Sequence, residues 1–386
     1  MRISKKREKK VLIVANCTWY LYNFRKELLS ELKAKGYNLI LLSPLDNYYK
    51  RIKKYFAKKE TLFLVRGSES PILEIITILN LLFIYIKYKP DLVHHFTIKP
   101  CIYGGLISRL VGIKFTINHI TGLGPSFYSE RSKIKFINNL LNPFYKYAFN
   151  KKDKNLVNIF HNNSDRDAFI SRGITSLKMT KIIPGSGVDI EYFQKSTPAK
   201  LNKGIKRILF PARIIKEKGF VELIDACKEL WDEKYKFILN IAGEIDTQNK
   251  SHINKKTFEY LINNENIFFL GKCNNMLEIY NNIDMVVLPS WREGLSKSIL
   301  ESAAMSLPII TTNVPGCKDI IKNKYSGLIV SVKSKREIKY AIKLYLNNPK
   351  LAYKFGKNAR KTLFDKYTVQ VINKKIMNVY NSFLDK

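Results

Sequence analysis

The sequence predicts two doubly wound α/β domains in tandem, and three observations carry that expectation. The chain has 386 residues, and a single hydrophobic core stops growing at roughly 250–300 residues, so two cores are the natural arrangement. Short β-rich apolar runs alternate with longer helical patterns, as in a parallel sheet covered on both faces. The alternation pauses once, at the polar, aperiodic stretch Gln194–Lys206 with its Pro198 and Gly204, and then restarts, which is how an interdomain linker reads. The expected domains are residues 1–195 and 206–365, followed by a helical tail, 366–386, read as packing back across the first domain.

Each element follows from its pattern. In the first domain the candidate strands are Val11–Ala15, Asn38–Leu42, Thr61–Val65, Leu92–His95, Phe115–Asn118 and Leu156–Phe160, with helical stretches such as Arg25–Lys35 and Ile72–Tyr88 between them. In the second they are Ile208–Pro211, Phe237–Ala242, Ile267–Leu270, Met285–Leu288, Ile309–Thr311 and Gly327–Val330, with helices at Phe220–Trp231, Met276–Asn281 and Lys297–Ala304. The most apolar window, Ile72–Ile86, is interrupted by Glu74 and Asn80. It falls short of the ~20 residues that span a bilayer, so a buried helix is expected there. Ligands of such folds bind at the carboxyl ends of the strands. If the two sheets face each other, the cleft lies between the lobes.

Composition narrows the function classes. The formal net charge is +35, with 33 basic against 13 acidic residues in 1–190 and 34 against 19 in 191–386. So even a spread is either compositional drift or a field for anionic partners: nucleic acid, anionic lipid or phosphorylated substrate. No recognised nucleic-acid-binding motif accompanies it, and nucleic acid is not expected as a partner. The five cysteines are odd in number and far apart, and the histidines lack metal spacing, so neither a disulfide framework nor a zinc site follows. A reduced, cytosolic chain is expected. The run Val11–Ala15 is too short for a signal-peptide core of ~7–15 residues.

Two segments carry chemistry. The strand ending at Leu288 runs into Pro289-Ser290-Trp291-Arg292-Glu293-Gly294 and then a helix through Glu301. Such a turn presents backbone N–H groups to an anion. Glu293 and Glu301 are placed so that both reach one ligand lying across the helix start; alternatively, Glu293 caps the helix and Glu301 is an ordinary helical residue. The second segment, Pro211 to Gly219, follows the first strand of its domain and brings Arg213 and Lys218. Guanidinium grips phosphate oxygens in a fork and ammonium acts as a point charge. Together they suit a diphosphate; the other reading is a solvated basic loop.

Taken in order, Ala212-Arg213 with Lys218-Gly219, Ala242-Gly243, Leu270-Gly271, Asp284, Pro289-Ser290-x-x-Glu293-Gly294, Glu293 and Glu301 with seven residues between, Pro308 and Gly327-Leu328 resemble the nucleotide-sugar-binding half of family 4 retaining glycosyltransferases, which have the two-domain GT-B fold. The resemblance implies two Rossmann-like domains facing each other. It implies that Arg213 and Lys218 bind the donor diphosphate, Glu293 the transferred sugar and Glu301 the ribose. It also implies that backbone N–H groups at Gly294, Leu295 and Ser296 help place sugar and phosphate.

In the first domain, His94 to Pro100, Tyr103-Gly104-Gly105 and Asn118-His119-Ile120-Thr121-Gly122-Leu123-Gly124 resemble the subgroup that builds bacterial surface polysaccharides and lipid-linked glycans. The implied acceptor is a saccharide on polyprenyl diphosphate, contacted by Thr121, Gly122, Gly124, Asn23 and Arg25. His119 reads either as a catalytic, sugar-contacting residue or as a buried structural histidine. The turn Trp19–Arg25 resembles the subgroup but lacks the glycine pair of many members.

The implied reaction is retaining transfer of an N-acetylhexosamine from a nucleoside diphosphate, with the nucleotide-sugar, a UDP-sugar by analogy, as co-substrate and neither metal nor other cofactor. Asp165-Arg166-Asp167 has the metal-holding DxD form but reads as capping at a helix start. The basic, aromatic segment Phe127–Asn155 is either an interfacial element for an anionic membrane, placing the protein on the cytoplasmic face of the inner membrane, or a core helix with a basic end. The rival enzyme is a nucleotide-sugar epimerase or hydrolase of the same shape, working without an acceptor.

Overall fold

The computed structural model describes residues 8–65, 67–68, 70–123, 127, 142–150, 155–194, 204–247, 249 and 251–384. Gly124 and most of the segment Phe127–Asn155 lie outside the described residues. The chain forms two units, one of Met1–Ser186 with Asn373–Lys386, the other of Gly187–Ile372.

Buried apolar runs become parallel strands in both units. In the first, β1 (Lys10–Val14), β2 (Asn38–Ser43), β3 (Lys58–Thr61), β4 (Leu92–Phe96), β5 (Phe115–Ile120), β6 (Leu156–Phe160) and β7 (Thr180–Ile182) make one sheet in the order β3-β2-β1-β4-β5-β6-β7. In the second, β8 (Lys206–Phe210), β9 (Phe237–Ala242), β10 (Ile267–Gly271), β11 (Met285–Leu288), β12 (Ile309–Thr312) and β13 (Leu328–Val330) make a sheet in the order β10-β9-β8-β11-β12-β13. The pairings between these strands are parallel. In each sheet the strand order reverses once, beside β1 and β4 and beside β8 and β11. Such switch points are where open α/β sheets bind ligands.

Helices cover the sheets. The first unit has α1 (Thr18–Ala34), α2 (Tyr49–Ile52), α3 (Pro71–Tyr88), α4 (Ile98–Leu110) and α5 (Asn163–Ser171). The second has α6 (Phe220–Asp232), α7 (Lys255–Ile262), α8 (Met276–Asn281), α9 (Lys297–Ala304), α10 (Lys335–Asn347) and α11 (Pro349–Lys361). The last helix, α12 (Val369–Leu384), begins in the second unit and ends in the first. Within the first unit its Tyr380 bonds His94 at 2.8 Å and its Phe383 stacks on Phe115.

Three expectations need correction. The helix expected from Arg25 begins at Thr18, so the Trp19–Arg25 turn is helical. Cys17 offers no cap; instead Asp46 takes the Thr18 hydroxyl and, at 2.9 Å, the Trp19 N–H. A carboxylate there also favours the helix N-terminus electrostatically. The strand expected at Thr61–Val65 lies at Lys58–Thr61. Leu62 and Leu64 still turn inward while Phe63 and Val65 face out, but this alternating run lies beyond the ladder with β2. Finally, α3 is not a buried helix. Leu81, Ile84 and Tyr85 pack on the sheet and Thr77 is buried, but the other face is open, with Ile72 70% and Phe83 64% exposed.

A buried polar row crosses the first sheet. His95, Asn118 and Asn158 lie side by side in register. His95 meets the Tyr85 hydroxyl and the Asn118 carbonyl at 2.7 Å each; Asn118 donates to Asn158, and Asn158 to Thr175 and the Phe149 carbonyl. Every bond keeps a polar group from being buried unpaired. Gly104 exists for this row, because a Cβ there would lie 2.9 Å from the Tyr85 hydroxyl and closer still to the His95 ring.

Candidate active site

In the second unit the two segments singled out from the sequence meet at the switch point. The loop after β8 carries Arg213 and, through a short 3-10 turn, Lys218; the loop after β11 carries Pro289 to Ser296. They touch backbone to backbone: the Trp291 N–H donates to the Glu217 carbonyl at 2.8 Å. Gly219 makes that approach possible. Its φ is +70°, and a Cβ would collide with the Pro289 carbonyl oxygen, so both conformation and space require glycine.

The charged side chains then pair. Lys218 Nζ lies 2.5 Å from Glu293 Oε1, and the Ser290 hydroxyl donates to the same oxygen at 2.9 Å. Both partners are largely shielded, with side chains 17% and 11% exposed. Arg213 is more open, at 46%, and pairs with Asp246. Glu301 is buried, takes a hydrogen bond from the Tyr280 hydroxyl at 3.2 Å and faces Lys297 at 3.8 Å. Burial raises the Glu301 carboxyl above the usual range, against the pull of Lys297 and Tyr280. The same burial, with Glu301 alongside, pushes the Tyr280 hydroxyl well up.

Glu293 is not the helix cap. Ser296 caps α9, its hydroxyl accepting the Ile299 N–H at 3.4 Å. The Ser296 N–H itself donates to the Gly316 carbonyl at 3.2 Å, which corrects the expectation that it is turned to a ligand. Gly316, with φ +77°, fits under the turn because a Cβ there would stand 2.6 Å from the Gly294 carbonyl oxygen. Leu295 is half-buried and packs on the domain core. The turn from Glu293 to Ser296 is thus held from below while the carboxylate of Glu293 and the ammonium of Lys218 remain together at its rim.

The first-unit candidates divide. Arg25 is 2% exposed and His119 is fully buried. Arg25 donates to the Tyr20 hydroxyl at 3.0 Å and the Gly185 carbonyl at 3.2 Å, and its Nη2 lies 3.2 Å from His119 Nε2 and 3.5 Å from His161 Nε2. An arginine cannot accept, so His119 accepts at Nε2 and carries its proton at Nδ1. Burial, and then the Arg25 charge, hold His119 well below its usual pKa. Its Nδ1 is buried without a hydrogen-bond partner among the described residues. Fully buried, His119 fits the structural one of its two readings better than the catalytic one. For Arg25, burial corrects the expectation of an acceptor contact. Asn23 bonds back to the Trp19 carbonyl at 2.9 Å along α1. Thr121 and Gly122 follow β5 and stay half-buried; Gly122 has φ +145°, a conformation glycine accepts. Gly124 lies outside the described residues. In the DxD segment, Asp165 is buried at the start of α5, capped by Asn162 at 2.8 Å, whereas Asp167 is 59% exposed beside Arg166.

Sequence reasoning missed Ser290's bond to Glu293, Asp246, Tyr280 and Gly316. The last three reach the site through the topology, from the loop after β9, α8 and the loop after β12, and no local pattern announces them.

Comparison with known proteins follows the same division of the chain. A family described as glycosyl transferase 4-like matches residues 10–162, and one described as glycosyl transferases group 1 matches residues 193–362. The capsular polysaccharide biosynthesis glycosyltransferase CapM of Staphylococcus aureus is 30% identical over 206 residues, 52% of this chain and 53% of that protein. The chain thus spans about half of that relative's length. The N,N'-diacetylbacillosaminyl-diphospho-undecaprenol alpha-1,3-N-acetylgalactosaminyltransferase of Campylobacter jejuni is 24% identical over 371 residues, covering 94% of this chain and 95% of that one. Among solved structures, Anabaena Alr3699/HepE in complex with UDP and glucose aligns with a TM-score of 0.75 at 16% identity, over 97% of this chain and 100% of that one. With one family model on each half, the chain belongs to the family-4-like glycosyltransferases of the two-domain GT-B fold.

Proposed function

We propose that this glycosyltransferase moves an N-acetylhexosamine from a uridine diphosphate donor, with retention of configuration, onto a saccharide carried by polyprenyl diphosphate. The observation that carries the reading is the Lys218–Glu293 pair at the β8/β11 switch point, with Arg213 on the loop that bears Lys218 and Glu301 on the helix that follows Glu293. Cations suit a diphosphate and carboxylates suit hydroxyls. Each cation already has a carboxylate partner, so donor binding is an exchange. Phosphate oxygens take Arg213 and Lys218, and sugar and ribose hydroxyls donate to Glu293 and Glu301. The names of the Staphylococcus and Campylobacter relatives support the glycan and the lipid-linked acceptor, and the Anabaena complex supports a UDP donor.

In the chemical step the bond between the anomeric carbon and the diphosphate oxygen breaks, with its electron pair leaving on the diphosphate. The acceptor hydroxyl oxygen attacks from the same face and gives its proton to a departing phosphate oxygen. Arg213 and Lys218 counter the charge growing there, which is the largest contribution a fixed cation can make. Thr121 and Gly122 remain the candidates for the acceptor side. The reaction takes place on the cytoplasmic face of the inner membrane and uses no metal.

A donor screen tests this. Purified protein with EDTA is given a panel of nucleotide-sugars, with and without a polyprenyl-diphosphate-linked sugar, and nucleoside diphosphate release is followed. Release that requires both substrates, and is greatest with a UDP-N-acetylhexosamine, is the expected result. Turnover of donor alone would favour the epimerase or hydrolase instead.

A further inference from the structure

The geometry points to the open face of α3 as the surface by which this protein docks on an anionic lipid bilayer. The inference deepens the reading above, from which it takes the lipid-linked acceptor, and it assigns a place to a partner that charge alone leaves unplaced.

Helix α3 is 18 residues long with mean hydropathy 1.6, yet only 22% of it is buried. Its most exposed apolar residues, Ile72, Ile75, Ile76, Leu79, Phe83 and Ile86, fall on one helical face. They form one stripe along about 21 Å of helix, at 1.5 Å per residue. Phe63, 59% exposed, borders the stripe, because its backbone is tied to Asn80 and Thr77 of the helix. A contiguous apolar surface of this kind marks an interaction site.

The helix does not leave the domain to cross a bilayer. Leu81, Ile84 and Tyr85 share a buried cluster with Leu12, Val14 and Ile40 of the sheet, and Tyr85 holds His95. It is fixed lengthwise by one face, which is the posture of an interfacial helix. Cations gather at its C-terminal end: Lys58 and Lys87 both lie over the Tyr88 ring, and exposed Lys89 follows. Lys99 stands at the N-terminal end, bonded to Glu74. Glu60 and Glu74 offset part of this local charge; the chain as a whole carries +35. That charge repels a second copy of the chain and attracts anionic headgroups, which selects the bilayer over self-association.

The test uses full-length protein and vesicles that contain no acceptor, so it stands or falls apart from the catalytic reading. Co-sedimentation is compared on phosphatidylglycerol/phosphatidylcholine vesicles and on phosphatidylcholine alone. The wild type should prefer anionic vesicles by about tenfold, and Leu79→Asp/Phe83→Asp should lower that binding by about tenfold or more, because charge replaces buried apolar surface. Tyr260→Asp/Phe268→Asp, at exposed apolar positions of the second unit, should bind as wild type does. Hydrogen exchange on unaltered protein supplies an independent reading: vesicles should protect peptides over residues 63–88. The proposal is overturned if the α3 variant binds like wild type, if binding ignores lipid charge, if protection falls elsewhere, or if ultracentrifugation shows a dimer that the α3 variant abolishes.

Discussion

Lys218 and Glu293 are each other's main electrostatic partner at 2.5 Å, so removing one changes the other. Lys218→Ala leaves a shielded carboxylate with the Ser290 hydroxyl but no cation, at the place where a diphosphate would arrive. Turnover should fall about 10²–10³-fold, the loss typical of a lost transition-state charge contact. Lys218→Arg should restore only part of it, because a planar fork does not replace a compact ammonium. Arg213 is nearly half exposed and its partner Asp246 stands on another loop, the one after β9, so Arg213→Ala should fold normally and depress kcat more than donor KM. Steady-state kinetics at saturating donor check both; an unchanged kcat for Arg213→Ala removes it from the leaving-group role. Gly219→Ala should act differently, through the fold. Positive φ and the Pro289 carbonyl both oppose a side chain, and a melt should show a loss of about 1–3 kcal/mol.

At the scale of elements, what the sequence could convey depended on where each element's partners come from. Strands β8, β9, β11 and β12 read clearly because a strand covered on both faces is a continuous apolar run. The edge strands of the first sheet did not: β7 was missed and β3 misplaced, since an edge needs only one ladder partner and β3 is Lys-Lys-Glu-Thr. The start of α1 was hidden because its cap, Asp46, stands 28 residues away. Hydropathy found α3 but not which of its faces is covered. The loops bearing Arg213, Lys218, Glu293 and Glu301 were legible as strand-to-helix turns; Tyr280 and Asp246 were not, because only packing brings them in. Burial of His95 and His161 was equally silent, and it has a pH signature. His95 is pushed down to about 4 by burial, against its bond to Asn118, and His161 to about 3 by burial and then by Arg25. Between pH 6.5 and those values the unfolded chain binds protons that the folded chain refuses. Stability is therefore full above pH 6.5 and falls as pH drops through this window. His161→Gln should flatten the slope of unfolding free energy between pH 6 and pH 4.5 by about 1.4 kcal/mol per pH unit, one proton's share. Denaturant titrations across that range check it; an unchanged slope would mean that His161 titrates normally.

For the whole molecule, two sheets with separate cores imply two cooperative units. Each has its own apolar interior, built around Leu12, Ile40 and Val93 in one and Leu209, Ile241 and Val287 in the other. The chain passes between them at Ser186/Gly187 and at Ile372/Asn373. The candidate donor residues all lie in the second unit, and the open face of α3 in the first. A nucleoside diphosphate should therefore stabilise one unit directly. At a hundredfold over its Kd it adds about 2.7 kcal/mol to whatever unfolds with the site. Calorimetry with and without UDP should show two transitions, of which one rises by several degrees. Glu301→Gln removes a carboxylate from the proposed ribose contact and should reduce that rise without moving the other transition. The lipid surface should do the converse, since anionic vesicles bind through α3 and should shift the transition that UDP leaves in place. If UDP and vesicles instead raise a single common transition together, the units unfold as one, and docking and donor binding are then linked through a shared folding equilibrium rather than carried by independent domains.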